Sequence, residues 1–248
     1  ASTAEAQTNV AVAIANQIVD YLKNETIANS VNVTSVSGKV LEELEPYLRL
    51  ADRLGCMQGQ LVDGYVKEVE IAYDGNFGDM DLSPVTTAVI CGLMEPLVID
   101  DVNTVNARFL AKEMGIKVLE SSTEDAQEFI NQLTVTVRTN KTESTVSGTV
   151  FGKNDPRVVK INDFRLEMKP EGYLTLIHNM DIPGEIGNIG TVLGNNNINI
   201  SRMTVGQEAE GKGGRNIVFL RTDTPLDQNV RNQLENMPQA RTVIYMEL

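Results

Sequence analysis

Tyr173-Leu-Thr-Leu-Ile-His-Asn-Met-Asp-Ile-Pro-Gly-Glu185 decides the fold of this 248-residue chain. Residues 173–179 read as a strand, the Asp-Ile-Pro-Gly turn ends it, and residues 185–193 carry the apolar spacing of a helix. Working outward, further strands are expected at 198–205, 216–221 and 241–247, with a second helix over 227–236. The order βαββαβ within about 75 residues is the ferredoxin-like split pattern.

The preceding residues follow a different plan. Val10, Ile14, Ile18 and Leu22 form a helical stripe over residues 4–23, and Ser2 and Glu5 stand ahead of it with capping-box spacing. A polar linker is expected over 24–32. Residues 38–53 predict a helix, with Val40, Leu41, Leu44, Tyr47, Leu48 and Ala51 on one face. Residues 66–73 alternate as a strand, closed by Asp74-Gly75. Helices are expected over 84–97 and 103–114, the second stopped by Gly115. From Gln132 the period shortens, and 133–138, 144–151, 157–161 and 164–168 read as an antiparallel meander. Pro170-Glu-Gly172 marks a boundary. The expected class is α/β (α+β), with a helix and linker over 1–29, a mixed α/β domain over 30–170 and a ferredoxin-like domain over 171–248.

Composition narrows the function. A formal charge of −13 argues against non-specific nucleic-acid binding, which needs basic surface to release counterions. Cys56 and Cys91 are the only two cysteines, too few for a cysteine-rich metal cluster and too isolated for a disulfide scaffold. No apolar run reaches the roughly 18 residues of a membrane span. A cytoplasmic protein without membrane contact is the expectation.

The residues with chemistry converge on the turn after the first tail strand. Asn179 and Asp181 lie two apart at the strand end, so their side chains leave the same face. Pro183 suits a helix's first turn, Gly184 permits close backbone approach, and the free amides beyond it can receive a carboxylate. Asp181 beside those amides is what a zwitterion requires, ammonium on the carboxylate and carboxylate on the amides. The same aspartate can equally serve as a plain helix cap. Other constellations fall short. His178 is the single histidine and fits packing better than a triad or a metal site. Gly184, Gly187 and Gly190 recur every three residues, which reads as helix-face packing and not a dinucleotide fingerprint. Gly211-Lys-Gly-Gly214 reads as a hairpin loop. Asp79, Asp81, Asp100 and Asp101 lack the calcium-loop pattern and read as surface carboxylates.

Several motifs carry a resemblance to long-type D-3-phosphoglycerate dehydrogenases. Ala1-Ser-Thr-Ala-Glu-Ala-Gln7 resembles the segment that follows their catalytic histidine. Residues 44–55, Gly148-Thr-Val-Phe-Gly152 and Val158-Val-Lys-Ile-Asn162 resemble their intervening, allosteric substrate-binding domain. Asp181-Ile-Pro-Gly184 and Asn199-Ile200 resemble an ACT domain. The resemblance implies a C-terminal regulatory segment of an NAD-dependent enzyme that oxidises 3-phosphoglycerate in serine biosynthesis. It implies an amino-acid effector, L-serine or a similar small amino acid, at Asn179, Asp181 and Asn199 with backbone from Ile182, Pro183 and Gly184. Some relatives have a histidine or tyrosine where Asn179 stands. It further implies an anion site, for phosphate or a phosphorylated substrate, at Arg157, Arg165, Lys169 and Arg221, and a homo-oligomer built through the tail. NAD, the catalytic residues and the turnover are expected of the parent enzyme, and the segment alone is expected to hold no cofactor or metal and to be inactive. Two alternatives stand beside this reading: the regulatory part of an iron–sulfur L-serine dehydratase, and an ACT module that dimerises without ligand.

Overall fold

The computed structural model describes residues 3–24, 39–77, 80–99, 101–125, 128–208 and 214–248. Helix α1 (Ala4–Asn24) opens the chain, and Thr3 Oγ1 accepts from the Ala6 amide at 3.3 Å. Thr3 thus caps the helix; Ser2 and the Glu5 side chain of the expected capping box lie outside the described residues, as does most of the expected linker. The stripe of Val10, Ile14, Ile18 and Leu22 stands exposed.

Helix α2 (Lys39–Leu61) runs eight residues beyond the expected end at Arg53. Gly55 and Gly59 do not break it, because they are where a second helix docks. A Cβ on Gly55 would meet the Val89 carbonyl oxygen at 2.1 Å, and one on Gly92 the Asp52 carbonyl oxygen at 1.9 Å. Glycine lets the backbones of α2 and α3 (Ser83–Met94) approach this closely. Leu44, Leu50, Leu54 and Met57 of α2 are buried against the sheet. Gln58, also buried, donates to the Val135 and Ser144 carbonyls at 2.6 and 2.9 Å, pinning the helix to two strands.

Strand β1 (Val66–Gly75) turns Val69, Ile71 and Tyr73 into this core. Helices α3 and α4 (Ala107–Glu113) then cross to β2 (Lys117–Thr123), which pairs parallel with β1. That strand was absent from the sequence expectation, and α3 and α4 are each shorter than expected. The meander follows as β3 (Asn131–Thr139), β4 (Glu143–Phe151), β5 (Asp155–Ile161) and β6 (Phe164–Met168), in the expected places.

The tail contributes β7 (Tyr173–Met180), α5 (Glu185–Asn195), β8 (Ile200–Glu208), β9 (Arg215–Thr222), α6 (Gln228–Glu235) and β10 (Ala240–Glu247), the expected βαββαβ order. Its strands lie β10-β7-β9-β8, and β8 also pairs with β6 through Phe164↔Glu208 and Arg165↔Gln207. Two half-sheets thereby become one sheet of ten strands, β10-β7-β9-β8-β6-β5-β4-β3-β1-β2. One face of the tail sheet carries Leu174, Leu176, Ile217, Phe219 and Met246 into the core shared with α2. The other face buries Ile177, Val218 and Leu220 beneath α5 and α6. The seam has a second clasp: the Gln60 side chain pairs with the Glu247 backbone, donating at 3.1 Å and accepting at 3.3 Å.

No described helix is long and apolar enough to cross a membrane. Cys56 is buried and Cys91 half-buried; neither is in a disulfide, and burial raises both thiols, that of Cys91 to about 11. Both are therefore protonated and unreactive at neutral pH.

Candidate functional site

The corner between β7 and α5 is built by Gly184, which caps α5 with φ of 94° and supplies no side-chain bond. Such a left-handed turn suits glycine, and it leaves the first amides of α5 without intrahelical partners. Ile182 and Pro183 are exposed on the outer side of the turn. Asp181 is exposed and accepts from Asn216 Nδ2 at 3.0 Å. It is therefore held by a strand neighbour, and the plain-cap alternative is not realised. Asn179 is buried and stands directly opposite Asn216 in the β7–β9 register. The structure thus brings Asn179, Asp181 and the Gly184 turn together.

It does not bring Asn199 to them within one chain. Strand β9 begins at Arg215, opposite Met180, and ends at Thr222, opposite Ile200. Asp181 and Asn199 each lie one residue beyond these pairs, opposite Gly214 and Asp223, so nine steps separate them by about 30 Å along the sheet. Asn199 instead donates to Asp223 Oδ2 at 2.6 Å.

His178 sits half-buried with its ring edge-on to Phe164, centroids 5.9 Å apart. Burial, and then the nearby Arg215 charge, lower its pKa, so the imidazole is neutral at neutral pH. It packs the seam, as expected. A Cβ at Gly187, Gly190 or Gly194 would meet nothing within 4 Å, so the expected glycine packing is not made within this chain. Together with exposed Ile182 and Ile186 these glycines leave one face of α5 open.

The four expected anion-binding cations lie near the seam, and each holds a carboxylate. Arg157 contacts Asp155 at 2.6 Å and Glu167 at 3.0 Å, and Lys169 contacts Asp155 at 3.1 Å. Arg221 contacts Glu171 at 2.7 Å. Arg165 pairs away from them with Glu128 at 2.5 Å and is exposed. The Arg157 bond holds the Asp155 carboxyl down at about 2 against the opposing effect of burial, with a smaller contribution from Lys169. Lys169 also lines a cleft of 230 Å³ with Arg49, Arg53, Asp52 and Asp155. On its other side Lys169 meets Arg202 and Arg221 across a narrow gap floored by Met168, Leu174 and Phe219. Arg202 stands opposite Arg221 in the β8–β9 register and has no ion-pair partner among the described residues. Sequence reasoning missed Arg202, Arg49 and Arg53, because a register and a helix docking angle bring them to the seam.

Among the described residues no group of three or more His, Cys, Asp or Glu is placed to hold a metal ion. Asp81 accepts from the Ser83 amide and hydroxyl at the start of α3, a turn contact, while Asp79 and Asp100 lie outside the described residues.

Comparison with known proteins accords with this architecture. Residues 43–162 match the family model of the D-3-phosphoglycerate dehydrogenase intervening domain, and residues 173–239 that of the ACT domain. The chain is 34% identical over 248 residues to the D-3-phosphoglycerate dehydrogenase of Archaeoglobus fulgidus, covering 100% of this chain and 47% of that one. It is 32% identical to the Bacillus subtilis enzyme of the same name over the same shares. With a chloroplastic Arabidopsis thaliana relative the identity is 30%, covering 100% of this chain and 45% of that one. The chain belongs to the D-3-phosphoglycerate dehydrogenase family, of which it carries the intervening and ACT domains, and it spans about half the length of the curated relatives it matches.

Proposed function

We propose that this chain is the regulatory half of a longer NAD-dependent D-3-phosphoglycerate dehydrogenase, with the domains dividing at 1–29, 30–170 and 171–248 and a cytoplasmic setting. Its ACT domain takes a small amino acid, L-serine foremost, at the corner between β7 and α5. The observation that carries this reading is the corner itself: Asp181 held by Asn216 beside the unpaired amides of α5. A zwitterion matches both, ammonium to the carboxylate and carboxylate to the amides. Asn199 is too far along the sheet to contribute within one chain, so it reaches the site from a second copy. The open glycine face of α5 is where that copy packs, which makes the assembly a homo-oligomer. The exposed stripe of α1 packs on the catalytic part, which supplies the NAD site and the turnover.

A thermal-shift panel of amino acids tests the effector. Ligand at a hundred times its Kd stabilises by about 2.7 kcal/mol, so L-serine should raise the Tm by several degrees. A flat response across the panel would reject amino-acid binding and favour a tail that only dimerises.

The seam takes an anion such as phosphate or a phosphorylated substrate at Arg157, Lys169 and Arg221, with Arg165 further out. Arg202 adds support, since like charges directly opposite on paired strands destabilise until an anion bridges them. Phosphate binding should weaken with salt, and alanine at both Arg157 and Lys169 should lower it about tenfold or more. Unchanged phosphate affinity in that double variant would place the site elsewhere.

A further inference from the structure

Three polar side chains close the apolar layer beneath α5 at the Gly184 end. Glu185, Ile189 and Leu193 follow one another at four-residue spacing on the inner face of the helix, and all three are buried. Ile189 and Leu193 pack in one cluster with Ile177 and Val218. Asn179 is the next residue on the Ile177 face of β7, and Asn216 precedes Val218 on the same face of β9. The corner is therefore walled by Glu185, Asn179 and Asn216, which are 2%, 1% and 6% exposed.

Five buried atoms here have no hydrogen-bond partner: both Glu185 oxygens, both amide atoms of Asn179, and Asn216 Oδ1. Buried polar groups are nearly always bonded, and a buried carboxylate without a cation is the most unfavourable kind of exception. Four of the five atoms are acceptors, so the missing partner is a donor, and Glu185 makes it a positive one. Asn216 links this corner to the surface, because its Nδ2 reaches the exposed Asp181.

We infer that Glu185 is the floor of the effector site, receiving one N–H of the ammonium that Asp181 holds at the mouth, with an amide oxygen of Asn179 or Asn216 accepting the third. The inference rests on the effector reading and goes beyond it by naming the ammonium, held by a buried carboxylate, as the group on which recognition turns. An ammonium has three donors, one for Asp181, one for Glu185 and one for an amide oxygen of Asn179 or Asn216. The ligand carboxylate stays at the α5 amides. A 2-hydroxy acid of the same shape binds more weakly, because its hydroxyl brings no positive charge to Glu185.

The test titrates L-serine and L-glycerate, which has a hydroxyl in place of the ammonium, into the 248-residue chain and its near-isosteric Glu185→Gln variant. The native chain should favour serine by about a hundredfold or more. Glu185→Gln should weaken serine about ten- to hundredfold, leave glycerate nearly unchanged, and raise the Tm of the unliganded protein, since a buried unpaired charge is gone. Serine binding equally well to both proteins would remove Glu185 from the site while leaving the effector reading intact. A lower unliganded Tm in the variant would show that Glu185 is already satisfied within the fold and overturn the inference. Serine failing to bind the native chain would overturn both.

Discussion

Replacing Gly92 with alanine is expected to destabilise the intervening domain by about 3–5 kcal/mol, among the largest effects of any single methyl in this chain. The methyl carbon would lie 1.9 Å from the Asp52 carbonyl oxygen and 2.8 Å from the Cys56 amide nitrogen. Both are backbone atoms of a helix, so no rotamer change relieves the clash. The two helices must separate, and α2 carries Leu50, Leu54 and Met57 of the core with it. Thermal unfolding should show a Tm lower by roughly 6–20 °C. Gly190→Ala serves as the contrast, since a methyl there meets open space. In an isolated chain it should gain about 1 kcal/mol from helix propensity. A loss of only a few tenths of a kcal/mol for Gly92→Ala would mean that α2 and α3 do not pack as described.

Asp181→Ala is expected to weaken L-serine binding by about 1.5–3 kcal/mol, roughly ten- to hundredfold, because a charge-assisted hydrogen bond to the ammonium is lost. The carboxylate is exposed and tied to the protein through one amide, so its removal disturbs the fold little. Asn199→Ala should cost less, about 1 kcal/mol, as only a neutral bond goes. Its present partner Asp223 would be freed to water at the surface. Calorimetric titration of the native chain and the two variants measures all three affinities, and equal values would remove both residues from the site.

Much of this fold is legible in the residues themselves. The meander and the βαββαβ tail announce themselves because a two-residue period gives way to a helical one and back, with Gly and Pro at the changes. Strand β2 does not, for Lys117-Val-Leu-Glu-Ser-Ser-Thr123 is largely exposed and lacks an alternating apolar face. It is a strand because β1 offers it an edge to pair with, a tertiary cause that local sequence does not carry. The glycines of the helices divide the other way from their spacing. Gly55 and Gly59 lie beyond the expected helix end at Arg53 and form its docking surface, whereas Gly187 and Gly190 look like packing and lie open. At the site, Asp181 and Asn179 are visible from strand parity. Glu185 was legible too, four residues before Ile189 on the buried face, but a charged residue in a first helical turn is ordinarily taken for a solvated one. The separation of Asn199 from Asp181, and the meeting of Arg202 with Arg221, are matters of register across β9, which only the paired sheet reveals.

The central claim is that two copies of this chain share each amino-acid site, one giving Asp181 and the other Asn199. Mixing the Asp181→Ala and Asn199→Ala proteins tests it most directly, after unfolding and refolding them together in equal amounts. Within a mixed pair one site has both substitutions and the other has neither. Random twofold pairing should therefore restore native serine affinity to about one site in four, although neither parent protein has any such site. Calorimetric titration of the mixture that finds only the two weakened affinities of the parents would contradict the account.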